Sequence, residues 1–391
     1  TASLSLSETE TGMTAHKIWF TDALDAQNQV VRLCEVDRAA LAETPFLDER
    51  WDRTGCATRP VRLADMPKKA PDTQPVFIWH TAFCCSTLLA RCLDKPGTNL
   101  GLREPAALME ISNIKRRQGA AVSDSWISAV MPALCQPVEG EHFVTLKPTN
   151  TVNNLIGDMA RLYPDARHVL LTSQLRAFLI SIAKKGEAGR SFARRLFTIF
   201  AMDGHPIART DPRQLMQMSD LQIAALVWQM QVAAMLEAFN KGPRDHFASL
   251  DGDRFVADPE LALTEVDRFF GLDLGADHIK ATAHGPLFKR DAKDASQSFG
   301  PDRRKAEAER IADQLEHFEC ECAFLLRNVP IVCVRRRRDA NTPRTLVLVC
   351  CNDYGLGPHL FADEFHRLLH CPCVDRLEPH SNSFLAVGGM A

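Results

Sequence analysis

The sequence predicts an α/β domain with three layers, in which a parallel sheet is buried between helices. Three short and largely apolar runs, residues 76–79, 143–146 and 168–171, have the length and composition of buried strands. Apolar residues recur at helical spacing at 151–162 and 174–185, after the second and third runs. Strands that alternate with helices through short connections form parallel sheets covered on both faces. The order of these elements therefore indicates the fold class.

The first strand runs into a polar turn at residues 80–86, and an amphipathic helix is expected from Thr87. A helix entered from a tight turn directs its unpaired N–H groups into that turn, where Ser86 and Thr87 add hydroxyl groups. We expect an anion there; the alternative is an ordinary strand and helix of the core. The residues of this loop, called the 81–87 loop below, are Thr81, Ala82, Phe83, Cys84, Cys85, Ser86 and Thr87.

The 81–87 loop is not a Walker A motif. The pattern G-x-x-x-x-G-K-[ST] requires glycines at the positions of His80 and Cys85 and a lysine at that of Ser86. Only Thr87 agrees with it, which disfavours ATP hydrolysis. A phosphoryl transferase is further disfavoured because no apolar strand ends in a clear Walker B aspartate.

Polar residues also follow the other predicted strands. Lys147 comes after the second strand, and Thr172 and Ser173 come after the third. Ligands of parallel sheets bind beyond the carboxyl ends of the strands. If the strands are neighbours, these residues lie on one rim with the 81–87 loop.

The remainder is predicted to be largely helical. Further strands are expected at 17–20 and 247–250. Asp258 and Pro259 have the pattern of an N-cap followed by proline at the first helical position, which predicts another helix. Trp228 belongs to a helical stripe and is expected in the core. The stripe consists of Leu221, Ala224, Ala225, Trp228 and Val232.

Composition indicates a soluble globular protein of one large α/β domain with additions, or of two domains. The chain has 391 residues, of which 46% are hydrophobic, and no run approaches the about 18 to 20 apolar residues of a membrane span. Residues 1–12 do not have the pattern of a signal peptide, so we expect a cytoplasmic protein. A net charge of −3 gives no general case for nucleic acid, and neither nucleic acid nor membrane is expected as a partner.

The thirteen cysteines are expected to be reduced, because they lie in predicted strands and helices rather than at the spacing of a disulfide scaffold. Close pairs occur at 320/322, 350/351 and 371/373, but they lack the spacings of zinc sites, and no metal is expected. Cys84 and Cys85 lie at a helix start, which favours thiolates and makes redox sensitivity an alternative role.

Several segments carry a family resemblance through their order and spacing. They are FIWHTAFCCSTLLARCL at 77–93, REP at 103–105, VTLKPTN at 144–150, YPDARHVLLTSQLRAFLISIAKKG at 163–186, SLDGDRFVADPELALTEVDRFFGL at 249–272 and HGPLFKRDAKDASQSF at 284–299. With these segments the chain resembles the bacterial sulfotransferase-like family over about residues 70–330. The resemblance implies a P-loop-related α/β fold and the co-substrate 3′-phosphoadenosine 5′-phosphosulfate, without a metal. It also implies transfer of the sulfuryl group to a hydroxyl or amine of a small-molecule or peptide acceptor.

The resemblance assigns the donor site. The backbone N–H groups of the 81–87 loop, with the hydroxyls of Ser86 and Thr87, would hold the 5′-phosphosulfate. Ser181 matches the serine that contacts the 3′-phosphate in the family. Its plain alternative is a residue on a helix surface.

The resemblance also assigns catalytic roles. Lys147 is similar to a lysine whose charge could stabilise the bridging or leaving oxygen, and Glu104 to a carboxylate that some members use as general base. The plain alternatives are solvation of a strand end for Lys147 and a partner of Arg103 for Glu104.

The chain departs from the family pattern at Phe83 and Ser173, where a cation is typical, and at Cys85, where glycine is typical. Arginine contacts to phosphate are bidentate and strong, so the loss of two cations weakens donor binding by about a few kcal/mol unless Arg176, Lys184, Lys185 or the loop at 289–293 replaces them. The expected donor site therefore includes Ser173 and these substitute cations: Lys147, Lys293 and Arg176.

Three functions remain open at this level: a sulfotransferase with rearranged cations, a non-catalytic binder of nucleotides or anions on the same fold, and a P-loop kinase-like phosphoryl transferase. The sulfotransferase-like domain is expected at residues 71–330, between an N-terminal extension at 1–70 and a C-terminal extension at 331–391. The sequence carries no signal for the acceptor or the oligomeric state.

Overall fold

A parallel sheet between helices, as predicted, forms the centre of the computed structural model, which describes residues 17–69, 71–289, 309, 331–336 and 346–351. The strands are β1 Ile18–Asp25, β2 Val30–Val36, β3 Thr58–Arg62, β4 Gln74–His80, β5 Asn99–Arg103, β6 Phe143–Lys147, β7 Arg167–Thr172, β8 Phe247–Asp251, β9 Ile331–Arg336 and β10 Leu346–Cys351. The central sheet has the order β5-β6-β4-β7-β8, and its strand pairs are all parallel. Strands β1–β3 form an antiparallel sheet, and β9 pairs antiparallel with β10.

The helices that cover the sheets vary from one and a half turns to six. They are α1 Arg38–Glu43, α2 Ser86–Cys92, α3 Ala106–Gln118, α4 Ala120–Leu134, α5 Ile156–Leu162, α6 Leu175–Lys184, α7 Gly186–Ala201, α8 Pro212–Gln217, α9 Asp220–Lys241, α10 Gly252–Ala257, α11 Pro259–Phe270 and α12 Ala276–Ala283. The helix predicted at 151–162 begins instead as a 3-10 helix, Asn150–Leu155, and becomes α-helical afterwards. Its asparagine, threonine and valine residues are poor formers of α-helix.

Local signals fix several helix ends. The side chain of Asp258 accepts a hydrogen bond from the backbone N–H of Leu261 at the start of α11, and Gly271 ends this helix in a left-handed conformation. At α9, Ser219 and Gln222 form a capping box. Caps of this kind contribute about 0.5–2 kcal/mol each. The cap of α11 is the signal from which that helix was predicted, whereas α9 was predicted from its apolar stripe.

Two faces of the central sheet pack against different helices, because side chains alternate along each strand. Val76 and Ile78 of β4 lie in the apolar cluster that contains α2 and α11, on what we call the α2 face. Phe77 and Trp79 lie in the cluster that contains α3, α4, α5 and α9, on the α9 face.

Gly101 of β5 lets α2 approach the sheet closely. A Cβ atom at this position would lie 2.8 Å from the carbonyl oxygen of Ala90 in α2. Gly101 is directly opposite Thr145, and Arg103 is opposite Lys147. Since side chains two residues apart share a face, Lys147 belongs to the α2 face of the sheet.

The N-terminal sheet is joined to the central domain by apolar and polar contacts. Buried residues of β1 and β2 share one apolar cluster with α3 and α4. The buried Arg38 of α1 contacts Asp94 and Glu141, each at 2.7 Å. Arg103 of β5 donates to the carbonyl groups of Leu41, Ala42 and Thr44 at the end of α1. The expected domain boundary at residue 70 stays a prediction.

Helix α9 is the one described helix with the length and apolar composition of a membrane span, and 72% of its most apolar window is buried inside the protein. It packs between the α9 face and the helices α6 and α7. Trp228 of α9 is partly buried between the two apolar clusters, in agreement with its predicted place in the core.

Candidate functional site

The carboxyl ends of the five parallel strands form a rim that carries most of the expected site residues. The last residues of the strands, in sheet order, are Arg103, Lys147, His80, Thr172 and Asp251. Because β4 lies between β6 and β7, the 81–87 loop leaves the rim at its middle. The strand on one side ends at Lys147, and Ser173 directly follows the strand on the other side.

Left-handed backbone is concentrated at this rim. Six non-glycine residues in the described ranges have positive φ, and four of them lie here: Ala82 (67°), Phe83 (55°), Cys85 (64°) and Glu104 (54°). Such a conformation costs about 1–3 kcal/mol for a residue other than glycine, and it is found most often at binding and catalytic sites. Turns of this kind direct backbone N–H groups into a concave surface that suits anions.

Helix α2 begins at Ser86, one residue earlier than predicted, and has only seven residues. Its short length limits the contribution of a helix dipole at this position. The backbone and the hydroxyl groups of the 81–87 loop are therefore the features that could bind a ligand.

His80, which the sequence did not single out, fixes the start of the loop. Its Nδ1 accepts a hydrogen bond from the backbone N–H of Ala82 at 3.1 Å, so the ring proton of the neutral imidazole lies on Nε2. Nε2 then donates to the carbonyl of Pro148, which directly follows Lys147, at 2.9 Å. Asn153 donates to the backbone carbonyl of His80 at 3.1 Å. A histidine at the end of an apolar strand was the only sequence signal for this role.

Three hydroxyl groups at the loop are buried and have no hydrogen-bond partner within the described part of the chain. They are the Oγ1 atoms of Thr81 and Thr87 and the Oγ atom of Ser173. These residues are 0%, 2% and 1% exposed. Thr81 continues the ladder between β4 and β7 through a bond from its N–H to the carbonyl of Leu171, which places it opposite Thr172, the residue before Ser173. A buried hydroxyl without a partner costs about 1–3 kcal/mol, and a polar ligand would remove that cost.

Phe83, where the sequence resemblance leads us to expect a cation, anchors the loop by its ring. The ring centroid lies 5.7 Å from that of Phe178 in α6 and 5.7 Å from that of Phe192 in α7. The ammonium of Lys185 lies 5.8 Å from the Phe83 ring centroid. This aromatic cluster explains how the loop keeps its shape without the usual side chain. Lys185 also brings a positive charge close to this loop residue.

Lys147 and Glu104, the two expected catalytic residues, form an ion pair. Lys147 is 1% exposed, and Glu104 follows β5 directly. The other carboxylate oxygen of Glu104 accepts from Arg50 at 2.8 Å. The alternative that Glu104 pairs with Arg103 is wrong, because the guanidinium of Arg103 is turned to backbone carbonyls, among them that of Thr44.

The remaining expected site residues are placed less directly. The hydroxyl of Ser181 donates to the carbonyl of Ala177 in its own helix, α6, at 2.9 Å. Arg176 lies partly buried on the first turn of the same helix. Cys84 is fully buried in the apolar cluster of the α2 face, which is the environment of an inert thiol. Lys293 lies outside the described residues.

Two further residues that the sequence did not assign to the site support the rim. The Nε1–H of Trp228 donates to the carbonyl of Ser173 at 3.0 Å and so fixes the chain after β7. Gly252, at the start of α10, packs against the loop: a Cβ atom there would lie 2.9 Å from the carbonyl carbon of Cys84. No group of three or more histidine, cysteine or acidic residues suited to a metal ion occurs in the described ranges.

Comparison with known proteins gives similarities to solved structures only. No family model and no curated protein matches the chain. The sulfotransferase domain from the curacin biosynthetic pathway is 13% identical, with a TM-score of 0.38, over 63% of this chain and 98% of that domain. The sulfotransferase domain of the Synechococcus PCC 7002 olefin synthase is 14% identical, with a TM-score of 0.37, over 64% and 98%. A sulfotransferase from Mycobacterium avium is 12% identical, with a TM-score of 0.35, over 63% of this chain and 77% of that protein.

Proposed function

We propose that this protein is a sulfotransferase that uses 3′-phosphoadenosine 5′-phosphosulfate as donor and a hydroxyl or amine of a small molecule or peptide as acceptor. The observation that carries the proposal is the set of buried hydroxyl groups of Thr81, Thr87 and Ser173, which have no hydrogen-bond partner among the residues that the structure describes. They surround a loop with three left-handed residues. Sulfuryl and phosphoryl oxygens are acceptors that hydroxyl and backbone N–H donors can bind without a metal.

The charged pair beside the loop suits the chemistry of sulfuryl transfer. The oxygen of an acceptor hydroxyl, or the nitrogen of an acceptor amine, attacks the sulfur atom, the bond between sulfur and the bridging oxygen breaks, and adenosine 3′,5′-bisphosphate leaves. Glu104 takes the proton of the acceptor, and the ammonium of Lys147 stabilises the negative charge that develops on the leaving oxygen. Both residues are at the carboxyl ends of neighbouring strands, and Lys147 is on the α2 face, as is the helix that the loop enters.

The cations absent at Phe83 and Ser173 need replacement for a donor with several negative charges. Lys185 is the described cation whose position fits best, because it already contacts the ring of Phe83. Arg176, at the start of the helix after β7, is a second source of positive charge. These residues support the proposal by charge alone.

A non-catalytic binder of nucleotides or anions is the second candidate. It is favoured by the ion pair between Lys147 and Glu104, which neutralises both expected catalytic groups in the absence of a substrate. The same hydroxyl groups and the same loop would then hold the ligand. A kinase-like activity has less support, because Ser86 occupies the position of the Walker lysine.

Two measurements separate these functions. Calorimetric titration with adenosine 3′,5′-bisphosphate and with ATP and Mg²⁺ identifies the ligand, and transfer from donor labelled with ³⁵S to a panel of phenols, alcohols and amines detects the reaction. Lys147→Met is the test variant. Lys115→Met is the matched control. Lys115 also forms an ion pair, with Asp158, but it belongs to helix α3 and not to the end of a strand.

The proposal predicts binding of the bisphosphate, transfer by the wild type, and loss of transfer by about 10²-fold or more in Lys147→Met but not in Lys115→Met. Binding without transfer to any acceptor would favour the non-catalytic candidate. Selective binding of ATP with Mg²⁺, without binding of the bisphosphate, would contradict the sulfotransferase.

A further inference from the structure

Four charged side chains of alternating sign extend across one end of the rim. Asp48 contacts Arg50, Arg50 contacts Glu104, and Glu104 contacts Lys147. The guanidinium of Arg50 also lies over the ring of Phe46, with 3.6 Å from its central carbon to the ring centroid. Lys147 and Glu104 belong to the central domain, whereas Asp48 and Arg50 come from the segment between α1 and β3.

This segment is attached to the end of β5 by its backbone. The N–H of Leu47 donates to the carbonyl of Arg103 at 2.7 Å, and the carbonyl of Leu47 accepts from the N–H of Ala106 at 2.9 Å. Glu104 lies between these two attachment points and has a left-handed φ of 54°. The segment is therefore hydrogen-bonded to the backbone on both sides of Glu104.

The orientation of Arg50 is also fixed independently of Glu104. Asp48 accepts from Nε of Arg50 at 2.8 Å and from its backbone N–H at 3.0 Å. Phe46, which packs against the guanidinium, is 8% exposed. Asp48 and the ring of Phe46 therefore hold the guanidinium of Arg50 in place, so that it is already oriented to donate to Glu104.

We propose that Arg50 is a positioning residue for Glu104, so that the segment at 44–50 is part of the active site. The inference rests on the proposed function, in which Glu104 accepts the acceptor's proton. Arg50 holds one carboxylate oxygen at 2.8 Å and leaves the other on the side of Lys147. It also supplies a positive charge that keeps the carboxyl group ionised before the reaction.

The experiment compares Arg50→Ala, Arg50→Lys and the control Arg62→Ala. Arg62 pairs with Asp65 on the surface of the N-terminal sheet, where its side chain is 77% exposed. The rate of labelled sulfuryl transfer is measured across the pH range, together with the affinity for adenosine 3′,5′-bisphosphate. In parallel, ¹³C NMR follows the titration of the Glu104 carboxyl carbon, with Glu104→Gln to assign the signal.

Arg50→Ala is expected to lower kcat by about tenfold or more, which is less than the full contribution of a general base. The affinity for the nucleotide should change less than twofold. The acidic limb of the pH–rate profile and the NMR midpoint of Glu104 should both move up by about one pH unit, because a cation at this distance favours the ionised carboxyl. Arg50→Lys should restore the position of the acidic limb, and Arg62→Ala should match the wild type.

An unchanged NMR midpoint in Arg50→Ala would overturn the inference, whether or not the protein transfers sulfuryl groups. An equal fall of nucleotide affinity and kcat would also overturn it, since it would indicate a general loss of structure. A shifted midpoint in a protein without transfer activity would support the positioning of Glu104 and contradict the proposed function alone.

Discussion

The ammonium of Lys147 contacts the carboxylate of Glu104 at the ends of two neighbouring parallel strands, although 43 positions separate these residues in the sequence. Lys147 is 1% exposed, and a buried ammonium needs a partner of opposite charge. The pair therefore has a structural role in addition to the catalytic role proposed here. The two roles predict different consequences for substitutions at the two positions.

Glu104→Gln should destabilise the protein more than Lys147→Met does. The first change leaves the buried ammonium without its carboxylate, which costs about 3–5 kcal/mol in comparable pairs. The second removes that ammonium, while Glu104 keeps its contact with Arg50. Urea unfolding of both variants measures the difference. Equal losses of unfolding free energy would show that the pair contributes little to folding.

Thr87→Val and Ser173→Ala should weaken ligand binding at little cost in stability, because the hydroxyl groups they remove have no hydrogen-bond partner in the described ranges. Each hydroxyl bound to an anion contributes about 1.5–3 kcal/mol, so nucleotide affinity should fall about tenfold or more. Thr73→Val is the matched control. Its hydroxyl donates to the buried carbonyl of Cys135 at 2.8 Å, so that change should lower stability by about 1–2 kcal/mol. Calorimetric titration and thermal unfolding give both quantities; a fall in stability at Thr87 as large as at Thr73 would indicate a structural hydroxyl.

Gly252→Ala should disturb the 81–87 loop. The added Cβ atom would lie 2.9 Å from the carbonyl carbon of Cys84, which forces the backbone to move and costs about 1–3 kcal/mol. Gly157→Ala in α5 is the control, since nothing lies within 4 Å of its Cβ position, and alanine there should stabilise the helix by about 0.5–1 kcal/mol. Thermal unfolding compares the two, and a loss of nucleotide affinity confined to Gly252→Ala connects the strain with the loop.

Stability should fall in acid because of His168. Burial lowers the pKa of this imidazole from 6.5 to about 3, and His246 adds to the effect. Between these pKa values the unfolded chain binds a proton that the folded chain does not. The contribution of neutral His168 to the free energy of unfolding is therefore complete above pH 6.5. It decreases as the pH falls, by up to about 1.4 kcal/mol per pH unit.

His168→Gln should flatten this dependence, since glutamine keeps an acceptor for the Nε1–H of Trp79, 3.0 Å away in the wild type, but does not titrate. Urea unfolding at pH 5 and pH 7 measures the change, with the exposed His142→Gln as control. A slope equal to that of the wild type would exclude His168 as its source.

The sequence indicated β4, β6, β7 and β8 correctly but gave no sign of β5. The first four contain mainly apolar residues, whereas β5, with the residues NLGLR, begins with asparagine, ends with arginine and has a glycine at its centre. That strand forms because Gly101 leaves space for α2 and because the side chain of Arg103 donates to backbone carbonyls at the end of α1. Both are contacts between distant parts of the chain, and no local periodicity reports them.

The sequence by itself determined the α/β class, the 81–87 loop at the end of a buried strand, and the presence of hydroxyl groups in it. These features are local, since apolar runs, caps and turn residues act within a few positions of one another. The tertiary structure alone decided that Lys147 pairs with Glu104, that Arg50 reaches this pair from the N-terminal segment, and that Phe83 packs into an aromatic cluster. Those contacts depend on the strand order β5-β6-β4-β7-β8 and on the docking of α1, which are set by the packing of surfaces far apart in sequence.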